Sequence, residues 1–458
     1  MTTPKAAGNH RLKAPPPGLY PEFEFMDEWL IPLPGSALDD LAKYIKTEVE
    51  WFENRERKRK PVDAQRFDHL VRAVVANLAR EHVAPSKGEG WLGTKRWSGR
   101  TKAFTYYDCP AFGLQWNNLA DHLEAMGLIL QREGEIQTNG IRGNARSLKA
   151  TTLLAERIEA IRHGLRFARA ENEPVIVLAS SRWIENEETF KYDKEKDRHD
   201  VPATAQSLSI SKRVSRINNM LAAADIAVVG ADGHLSRSFS GKRPLAVRRH
   251  FTITHAQIEV DGLRGYRFDR GGRLYGGFWQ YMPKTERHRI RINGDPVSIV
   301  DYRSMNAHIA YSLAGTTPPD GDLYAVPGLE QYRPEVKRLF NAMLSWPEGR
   351  PFKRWPKSIR EGNGPLYQSR IGPEKASGLI ASFHKDLAGL FSAGRIGEIQ
   401  YIESETILRV LDLIIDQGIV GLPVHDAMIV PVKDAEKVAG IMRDAALSVV
   451  GLPIDVSL

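Results

Sequence analysis

Apolar residues recur at three- and four-residue spacing in the first third of the chain. The segments ALDDLAKYIKTEVEWFENRER and FDHLVRAVVANLAREHV both follow this pattern, which is typical of amphipathic helices. Residues 1–20, by contrast, are rich in proline and show no apolar periodicity, so we expect a disordered tail there. The pattern predicts a mainly helical region that follows this tail.

From residue 117 onward the pattern changes. NNLADHLEAMGLILQREG predicts a helix and then a short strand, and QTNGIRGNARSLKATTLLAERI predicts a glycine-rich basic turn and then a strand or helix. This order resembles a winged helix with residues 140–146 at the tip of the wing. We therefore expect residues 21–170 to form a mainly helical, winged-helix-like domain that binds nucleic acid.

The next segments alternate between apolar and polar character. PVIVLASSRW predicts a strand, ENEETFKYDKEKDRHD predicts an exposed linker or helix tip, and ATAQSLSISKRVSRINNMLAAADI predicts an amphipathic helix. Lys212, Arg213 and Arg216 lie on that helix. Together with Arg248 and Arg249 they suit contact with phosphate groups.

Two apolar runs each carry an aspartate at an unusual place. Asp426 interrupts LPVHDAMIVP, and the apolar stretch Val297 to Val300 leads directly to Asp301 in PVSIVDYRSMNAHIAYSLAG, whose second half predicts a helix closed by Gly315. A strand-end aspartate often accepts backbone hydrogen bonds in a turn. Alternatively, two aspartates on adjacent strands could hold two Mg²⁺ ions about 3.5–4 Å apart, as in phosphoryl transfer.

Composition narrows the class of protein. With 458 residues, of which 42% are hydrophobic and 26% charged, the chain can form two or three globular domains. A single cysteine, Cys109, excludes an intramolecular disulfide framework and a multi-cysteine zinc site. No run near 18 apolar residues occurs, so we expect a cytoplasmic protein with no membrane partner.

The net charge of +8 and the pI near 9.3 suit an anionic partner. Basic residues cluster at 53–61, 87–102, 240–250 and 349–360, and two of these clusters interleave Lys and Arg with Trp. Such a mixture suits phosphate contact combined with base stacking. A solvated surface is the alternative interpretation of each cluster.

Five segments in one order resemble the family A DNA polymerases and the related phage-type single-subunit RNA polymerases. VDYRSMNAHIAYSLAG resembles motif A, and LPVHDAMIVP resembles motif C. GGRLYGGFWQYMP followed by RHRIRI is similar to the primer-binding segment, RPEVKRLFNAMLSW to the motif B fingers helix, and IGEIQYIESETILRVLDLII to the helix before motif C. Five segments between residues 271 and 432 are far more specific than one alone.

The resemblance implies an α+β, right-hand polymerase fold. It places a thumb-like helical region at 171–250, an antiparallel-sheet palm at 251–324 and 396–458, and helical fingers at 325–395. The interval of 125 residues between the two aspartates (426 − 301) is short for the family, so we expect reduced fingers.

The resemblance also implies a site. Asp301 and Asp426 would be catalytic and would hold two Mg²⁺ ions, for which Mn²⁺ can substitute, with the backbone carbonyl of Tyr302 as a further ligand. Arg333 and Lys337 lie four residues apart, on one helical face, and would bind the triphosphate. The other expected contacts are Asn306 and Phe340 with the nucleotide, and Arg273, Gln280, Gln400 and His425 with primer and template.

Three positions depart from the family pattern. Asn306 stands where the DNA polymerases carry the glutamate that excludes the ribose 2′-hydroxyl. Ala427 stands where the DNA polymerases commonly carry a carboxylate, at a site where the RNA polymerases also lack one. The fingers helix lacks the family's aromatic spacing, and Phe340 is the nearest candidate for stacking on the nucleotide. The choice between ribose and deoxyribose therefore stays open.

The leading hypothesis is a monomeric, template-directed DNA polymerase that extends a primer 3′-hydroxyl in the replication of a plasmid, phage or other mobile element. Its partners would be a DNA primer–template, nucleoside triphosphates and replication proteins of the same element. An RNA-synthesising relative, such as a primase or single-subunit RNA polymerase, is the close alternative. A non-catalytic DNA-binding replication initiator is an alternative of another class. An HD-type phosphohydrolase would need a further His and Asp on helices, whereas His425 and Asp426 lie in a strand-like run.

Overall fold

The computed structural model describes residues 24–85, 89–94, 105–134, 146–186, 191–230, 233, 235–236, 245–254, 265–346 and 353–458. The fold is mixed α+β with several antiparallel sheets. The chain divides into two compact units. The first unit comprises Met1–Pro174, Asn218–Ala246 and Tyr281–Gly294, and the second comprises Val175–Ile217, Val247–Gln280 and Asp295–Leu458.

The described strands are β1 (Leu30–Pro32), β2 (Leu92–Thr94), β3 (Ile129–Arg132), β4 (Arg146–Ala150), β5 (Phe167–Arg169), β6 (Ile176–Asn186), β7 (Lys191–His199), β8 (Ile226–Val229), β9 (Leu235–Ser236), β10 (Arg248–Thr252), β11 (Gly271–Tyr275), β12 (Ile290–Ile292), β13 (Asp295–Tyr302), β14 (Leu422–Val424), β15 (Ala427–Pro431) and β16 (Val456–Ser457). The described α-helices are α1 (Ala37–Glu53), α2 (Pro61–Val83), α3 (Leu114–Ala125), α4 (Thr152–Ala160), α5 (Ala205–Ala223), α6 (Phe278–Tyr281), α7 (Met305–Leu313), α8 (Arg333–Ser345), α9 (Lys357–Arg360), α10 (Pro365–Gln368), α11 (Pro373–Phe383), α12 (Ile396–Asp416) and α13 (Ala435–Val450). Short 3₁₀ helices lie at Arg162–Gly164, Lys284–Arg289, Glu330–Tyr332, Lys385–Leu387 and Val432–Asp434.

Helices α1 and α2 form much of the core of the first unit. Ser36 is the N-cap of helix α1. Its Oγ accepts the Asp39 N–H at 3.3 Å and so satisfies a donor that the helix leaves unpaired. Its apolar residues at helical spacing are buried, among them Leu38, Ile45 and Val49. Both helices predicted from periodicity are confirmed. The disordered tail predicted at residues 1–20 lies outside the described residues.

A three-stranded antiparallel sheet in the first unit has the order β2-β4-β3. Helix α3 precedes β3, and β3 pairs with β4 over Ile129↔Ala150 to Arg132↔Ser147. The buried Arg146 donates to Asn117 Oδ1 at 3.2 Å and to Gln131, which fixes β4 against α3 and β3. The predicted order of helix, strand and strand is therefore present, while the expected wing tip falls almost entirely on residues outside the description.

A four-stranded sheet in the second unit has the order β11-β10-β6-β7. Strands β6 and β7 pair antiparallel from Leu178↔His199 to Asn186↔Lys191. The polar stretch that contains β7 was predicted to be a linker or helix tip, and this prediction is wrong. Pairing with a neighbouring strand satisfies the backbone of β7, so tertiary contact overrides its weak strand propensity. Residues 171–250, expected to be helical and thumb-like, contain strands and the single described helix α5.

The second sheet of this unit contains β14, β15, β13 and β16. Strand β13 pairs antiparallel with β15 from Val297↔Pro431 to Asp301↔Ala427, and β14 forms a hairpin with β15. Val300, Met428 and Val430 are fully buried. Helix α13 packs beside this sheet, and α7 packs against α12 and α13. The described part of 325–395 contains helices α8 to α11. Of the helices that the structure describes, not one combines the length and apolarity that a membrane crossing needs.

Candidate active site

The two aspartates meet at one end of the β13–β15 pair. Asp301 stands directly opposite Ala427 in the strand register, and Asp426 is the residue before Ala427. The Tyr302 N–H donates to the Asp426 carbonyl at 3.4 Å. Strand β13, which carries Asp301, is therefore the neighbour of strand β15, which begins directly after Asp426. The apolar pattern predicted the strands but not that they are adjacent.

Two tight turns fix the positions of these carboxylates. His425 and Asp426 form the two-residue turn between β14 and β15, and His425 has φ +55°, a left-handed conformation that histidine adopts more readily than branched residues. After Asp301, Ser304 also has a positive φ of +53°, and its carbonyl accepts the N–H groups of Ala307 at 3.0 Å and His308 at 3.2 Å. Helix α7 thus begins four residues after the first carboxylate.

A cavity of about 610 Å³ adjoins Asp301 within the second unit. We call it the Asp301 cavity. Its volume lies in the range of pockets that hold small molecules. Arg333 and Lys337 project into it from α8, so the structure brings the predicted triphosphate-binding pair to the first aspartate. The lining consists of Asp301, Tyr302, Arg303, Ser304, His308, Gly321, Asp322, Leu323, Tyr324, Arg333, Lys337, Asp455 and Ser457.

The aromatic ring beside these cations is Tyr324, which the sequence analysis missed. The Arg333 guanidinium lies 5.6 Å and the Lys337 Nζ 5.9 Å from the centroid of its ring, within cation–π range. Burial raises the pKa of Tyr324, and the negative charge of Asp426 adds to this rise. The hydroxyl is therefore protonated, and it has no hydrogen-bond acceptor of normal geometry among the described residues, although the Ser304 side chain is near.

Phe340, the expected stacking residue, lies elsewhere. Its side chain is fully buried and packs against Tyr324, with ring centroids 5.7 Å apart. It does not line the Asp301 cavity. The Tyr324 ring lines the Asp301 cavity but is itself only 1% exposed. No periodic signal in the loop GDLYAVPGL marks it.

Arg333 is partly neutralised by Asp322. Its Nη2 donates to Asp322 Oδ1 at 3.1 Å, and its Nε donates to Oδ2. The hydrogen bond from Arg333 lowers the pKa of Asp322, and the same pair raises the pKa of Arg333. In the described part of the chain, Lys337 is exposed and has no carboxylate within ion-pair distance. An anionic ligand would meet Lys337 directly and would share Arg333 with Asp322.

Arg273, expected to contact the primer, is engaged inside the second unit. Its Nε and Nη2 donate to the two carboxylate oxygens of the buried Glu403 at 2.7 and 2.5 Å. Burial alone would lower the pKa of Arg273, but the hydrogen bonds and charge of Glu403 raise it. This bidentate pair joins β11 to α12, so the structure gives Arg273 a partner that the sequence analysis did not identify.

Gln280 also has intramolecular partners. Its Nε2 donates to the Leu274 carbonyl at 2.9 Å and to the Pro423 carbonyl at 3.0 Å, and Trp279 Nε1 donates to the same Pro423 carbonyl at 2.9 Å. These bonds tie the segment after β11 to strand β14. Gln280 therefore helps to place the β14–β15 hairpin, whose turn contains Asp426.

The remaining predicted contacts are dispersed. Asn306 donates to Asn341 Oδ1 at 3.0 Å, while its own Oδ1 is buried without a partner among the described residues. His425 is exposed, and its ring centroid lies 5.5 Å from that of Tyr275. Gln400 is half-buried on α12. None of these three lines the Asp301 cavity.

The cations expected to grip phosphate are largely paired with α12. Arg213 donates to Asp412 at 2.7 Å and to Glu405 at 2.8 Å, and Arg216 pairs with Asp416. Arg249 is 2% exposed and donates to the Gly272 carbonyl and to Glu405. The expected phosphate contact of Arg249 is therefore corrected, because a buried side chain with these partners cannot reach a backbone phosphate at the surface. Lys212 and Arg248 remain at least partly exposed.

Comparison with protein-family models gives no match for this chain, and comparison with curated proteins gives none either. The function must therefore be argued from the site and the motifs.

The donor set at the β13–β15 end suits a hard divalent cation. Asp301 and Asp426 offer carboxylate oxygens, which Mg²⁺ prefers. Among the described residues, no group of three or more His, Cys, Asp or Glu side chains forms a metal-binding cluster. Two carboxylates supplemented by phosphate oxygens are, however, a common way to hold Mg²⁺. The residues present therefore fit a magnesium site that is completed by a phosphorylated substrate.

Proposed function

We propose that this chain is a template-directed DNA polymerase of family A type that adds nucleotides to a primer 3′-hydroxyl. The observation that carries the proposal is the Asp301 cavity, where the motif A aspartate and the two cations of the motif B helix share one space. Asp426 of motif C stands beside Asp301 through strand pairing. Three motifs that are remote in sequence thus contribute to one site.

The residues of the cavity have separate tasks in this reaction. Lys337 and Arg333 would bind the triphosphate oxygens, Arg333 by exchanging part of its pairing with Asp322. Asp301 and Asp426, with the Tyr302 carbonyl, would hold two Mg²⁺ ions, whose chemistry is to stabilise the attacking and leaving oxygens of an in-line displacement. The primer 3′-oxygen bonds to the α-phosphorus as pyrophosphate leaves. Positioning and charge neutralisation account for most of this catalysis.

The first unit would supply a second contact with nucleic acid. Helix α3 and the antiparallel strands β3 and β4 follow the order of a winged helix. We assign this segment to duplex binding near the replication start of a plasmid, phage or other mobile element. That assignment rests on topology and on the overall charge of +8.

Primer extension tests the catalytic proposal. A labelled primer on a defined template, with Mg²⁺ and either dNTPs or NTPs, should be extended by the protein. Asp426→Asn and Asp301→Asn remove one charge each with little change in shape, and we expect each to reduce extension by at least roughly a hundredfold. Asp320→Asn is the matched control, because Asp320 is exposed and outside the cavity. Absence of extension by the wild-type protein with both nucleotide types would refute the proposal.

The RNA-synthesising alternative is favoured by one specific observation. The amide of Asn306 is bonded to Asn341 and does not line the Asp301 cavity, so the residue at the sugar-gate position presents no carboxylate to a ribose. Competition between dNTPs and NTPs in the same assay decides between the two activities. Binding of primer–template without extension would instead indicate a replication initiator.

A further inference from the structure

The end of helix α1 combines exposed aromatic rings with a basic loop. The Trp51 side chain is 83% exposed and that of Phe52 is 43% exposed. The loop at 54–60 follows directly and joins α1 to α2. We call this region the Trp51 surface, and it comprises Trp51, Phe52, Arg55, Arg57, Lys58 and Lys60, all of which are exposed.

The loop is held in place by its one buried cation. Arg59 forms an ion pair with Glu53, its Nη1 lies 3.6 Å from Glu50 Oε1, and its guanidinium lies 3.5 Å from the centroid of the Phe67 ring. The Arg59 side chain is only 11% exposed. Asn54 ends α1 in the left-handed conformation, with its N–H donating to the Trp51 carbonyl at 3.2 Å. The surface therefore has a fixed backbone beneath it.

The exposed cations are not neutralised. In the described part of the chain, Arg55, Arg57, Lys58 and Lys60 form no ion pair with a carboxylate. Arg59 offsets one of the two negative charges of Glu50 and Glu53, and Glu56 adds a third carboxylate. Together with Arg55, Arg57, Lys58 and Lys60, these residues give positions 50–60 a net charge of +2 (5 − 3).

Charge and ring type together identify the class of partner. Cations beside a flat aromatic ring suit a single strand of nucleic acid. Its phosphates would pair with Lys and Arg, and an unpaired base would stack on the ring. Insertion into a membrane surface would use a continuous apolar face of the helix, but the apolar face of α1, including Leu38, Ile45 and Val49, is buried in the first unit. We infer that the Trp51 surface binds single-stranded nucleic acid. The inference goes beyond the polymerase proposal, because it does not depend on the Asp301 cavity.

Fluorescence anisotropy with the full chain and a labelled dT12 oligonucleotide tests the inference. Trp51→Ala should raise the Kd roughly 5- to 100-fold, the range for loss of one stacked base. Arg57→Ala combined with Lys58→Ala should reduce the slope of log K against log salt by about 1.4, or about 0.7 per lost phosphate contact. Lys375→Ala combined with Lys385→Ala removes the same charge from exposed sites of the second unit and should change neither quantity.

A spectroscopic measurement locates the contact. The oligonucleotide should quench tryptophan emission more in the wild-type protein than in Trp51→Phe. Unchanged affinity and salt slope in the Trp51 and Arg57/Lys58 variants would overturn the inference, as would tighter binding to phosphatidylserine vesicles through the same residues. Asp426→Asn should bind dT12 like the wild-type protein, so failure of the polymerase proposal and failure of this inference give different results.

Discussion

Acidification should destabilise the second unit through His384. This side chain is fully buried, its Nε2 donates to the Leu323 carbonyl at 3.0 Å, and the Tyr311 hydroxyl donates to its Nδ1 at 2.8 Å. Because a carbonyl can only accept, Nε2 carries a proton, and the ring is neutral when Nδ1 accepts from Tyr311. A second proton on Nδ1 would displace the Tyr311 hydrogen bond. Burial lowers the pKa of His384 to about 4, although the Leu323 carbonyl opposes this effect.

The magnitude follows from the difference between the folded and unfolded pKa values. The pKa of histidine in the unfolded chain is about 6.5. Below that pH the unfolded chain binds a proton at this side chain, whereas the folded chain does not. Stability is therefore complete above about pH 6.5 and falls as the pH drops toward about 4. Linkage gives a loss of about 2 kcal/mol at pH 5 and about 3 kcal/mol at pH 4 from this one group.

Urea-induced unfolding, followed by tryptophan fluorescence between pH 7 and pH 4.5, measures the effect. His384→Gln provides a side chain that does not titrate. At pH 7 the variant should be less stable by about 1–3 kcal/mol, because the Leu323 carbonyl and the Tyr311 hydroxyl lose well-aligned hydrogen bonds in the buried site. Other groups that titrate in acid affect both proteins alike. The difference in free energy of unfolding between the wild-type protein and His384→Gln should therefore be about 2 kcal/mol smaller at pH 5 than at pH 7. A gap that stays constant with pH would refute the reasoning.

Two further predictions concern the second unit. Asp322→Asn keeps an acceptor for the Tyr324 N–H but releases the charge of Arg333, so under the proposed function the KM for nucleotide in primer extension should fall by up to about fivefold, and an unchanged or higher KM would contradict it. Gly272→Ala should cost about 2–4 kcal/mol in urea unfolding, because φ is +81° and the new Cβ would lie 2.8 Å from Oγ of Ser404 and 3.0 Å from Nη2 of the buried Arg249. Gly315→Ala, with φ +69° and open space around the new Cβ, should cost only about 1 kcal/mol. Equal losses of stability in the two variants would show that the side chains around Gly272 move away at little cost.

Local patterns predicted the elements that carry the candidate site. The apolar run before Asp301 and the apolar hairpin around Asp426 each specify a strand, and the order of motifs placed Arg333 and Lys337 on a helix between them. The structure pairs those strands and brings the helix to the same cavity. The prediction succeeds at β15 because all five of its residues are buried, which is what a continuous apolar run indicates.

Local sequence patterns could not predict contacts between residues that are far apart in the chain. Arg249 and Glu405 are 156 residues apart in the chain, so the sequence alone could not show that this arginine is neutralised and buried. Tyr324 and Asp322 lie in a loop without periodicity, where no pattern distinguishes a cavity residue from a solvated one. Strand β7 is polar throughout, and only its neighbour β6 makes it a strand.

The two-residue turn at His425 and Asp426 has a consequence for how this molecule could change over evolutionary time. The spacing of Asp301 and Asp426 is set by the β13–β15 register and by that turn, whereas the segment between β13 and β14 only needs to leave the sheet and return. Insertions or deletions within that segment would leave the carboxylates in place, while one extra residue in the hairpin would turn its side chains to the opposite face. A shortened segment between β13 and β14 is thus compatible with an unchanged pair of carboxylates, and the size of that segment carries no information about the chemistry of the pair.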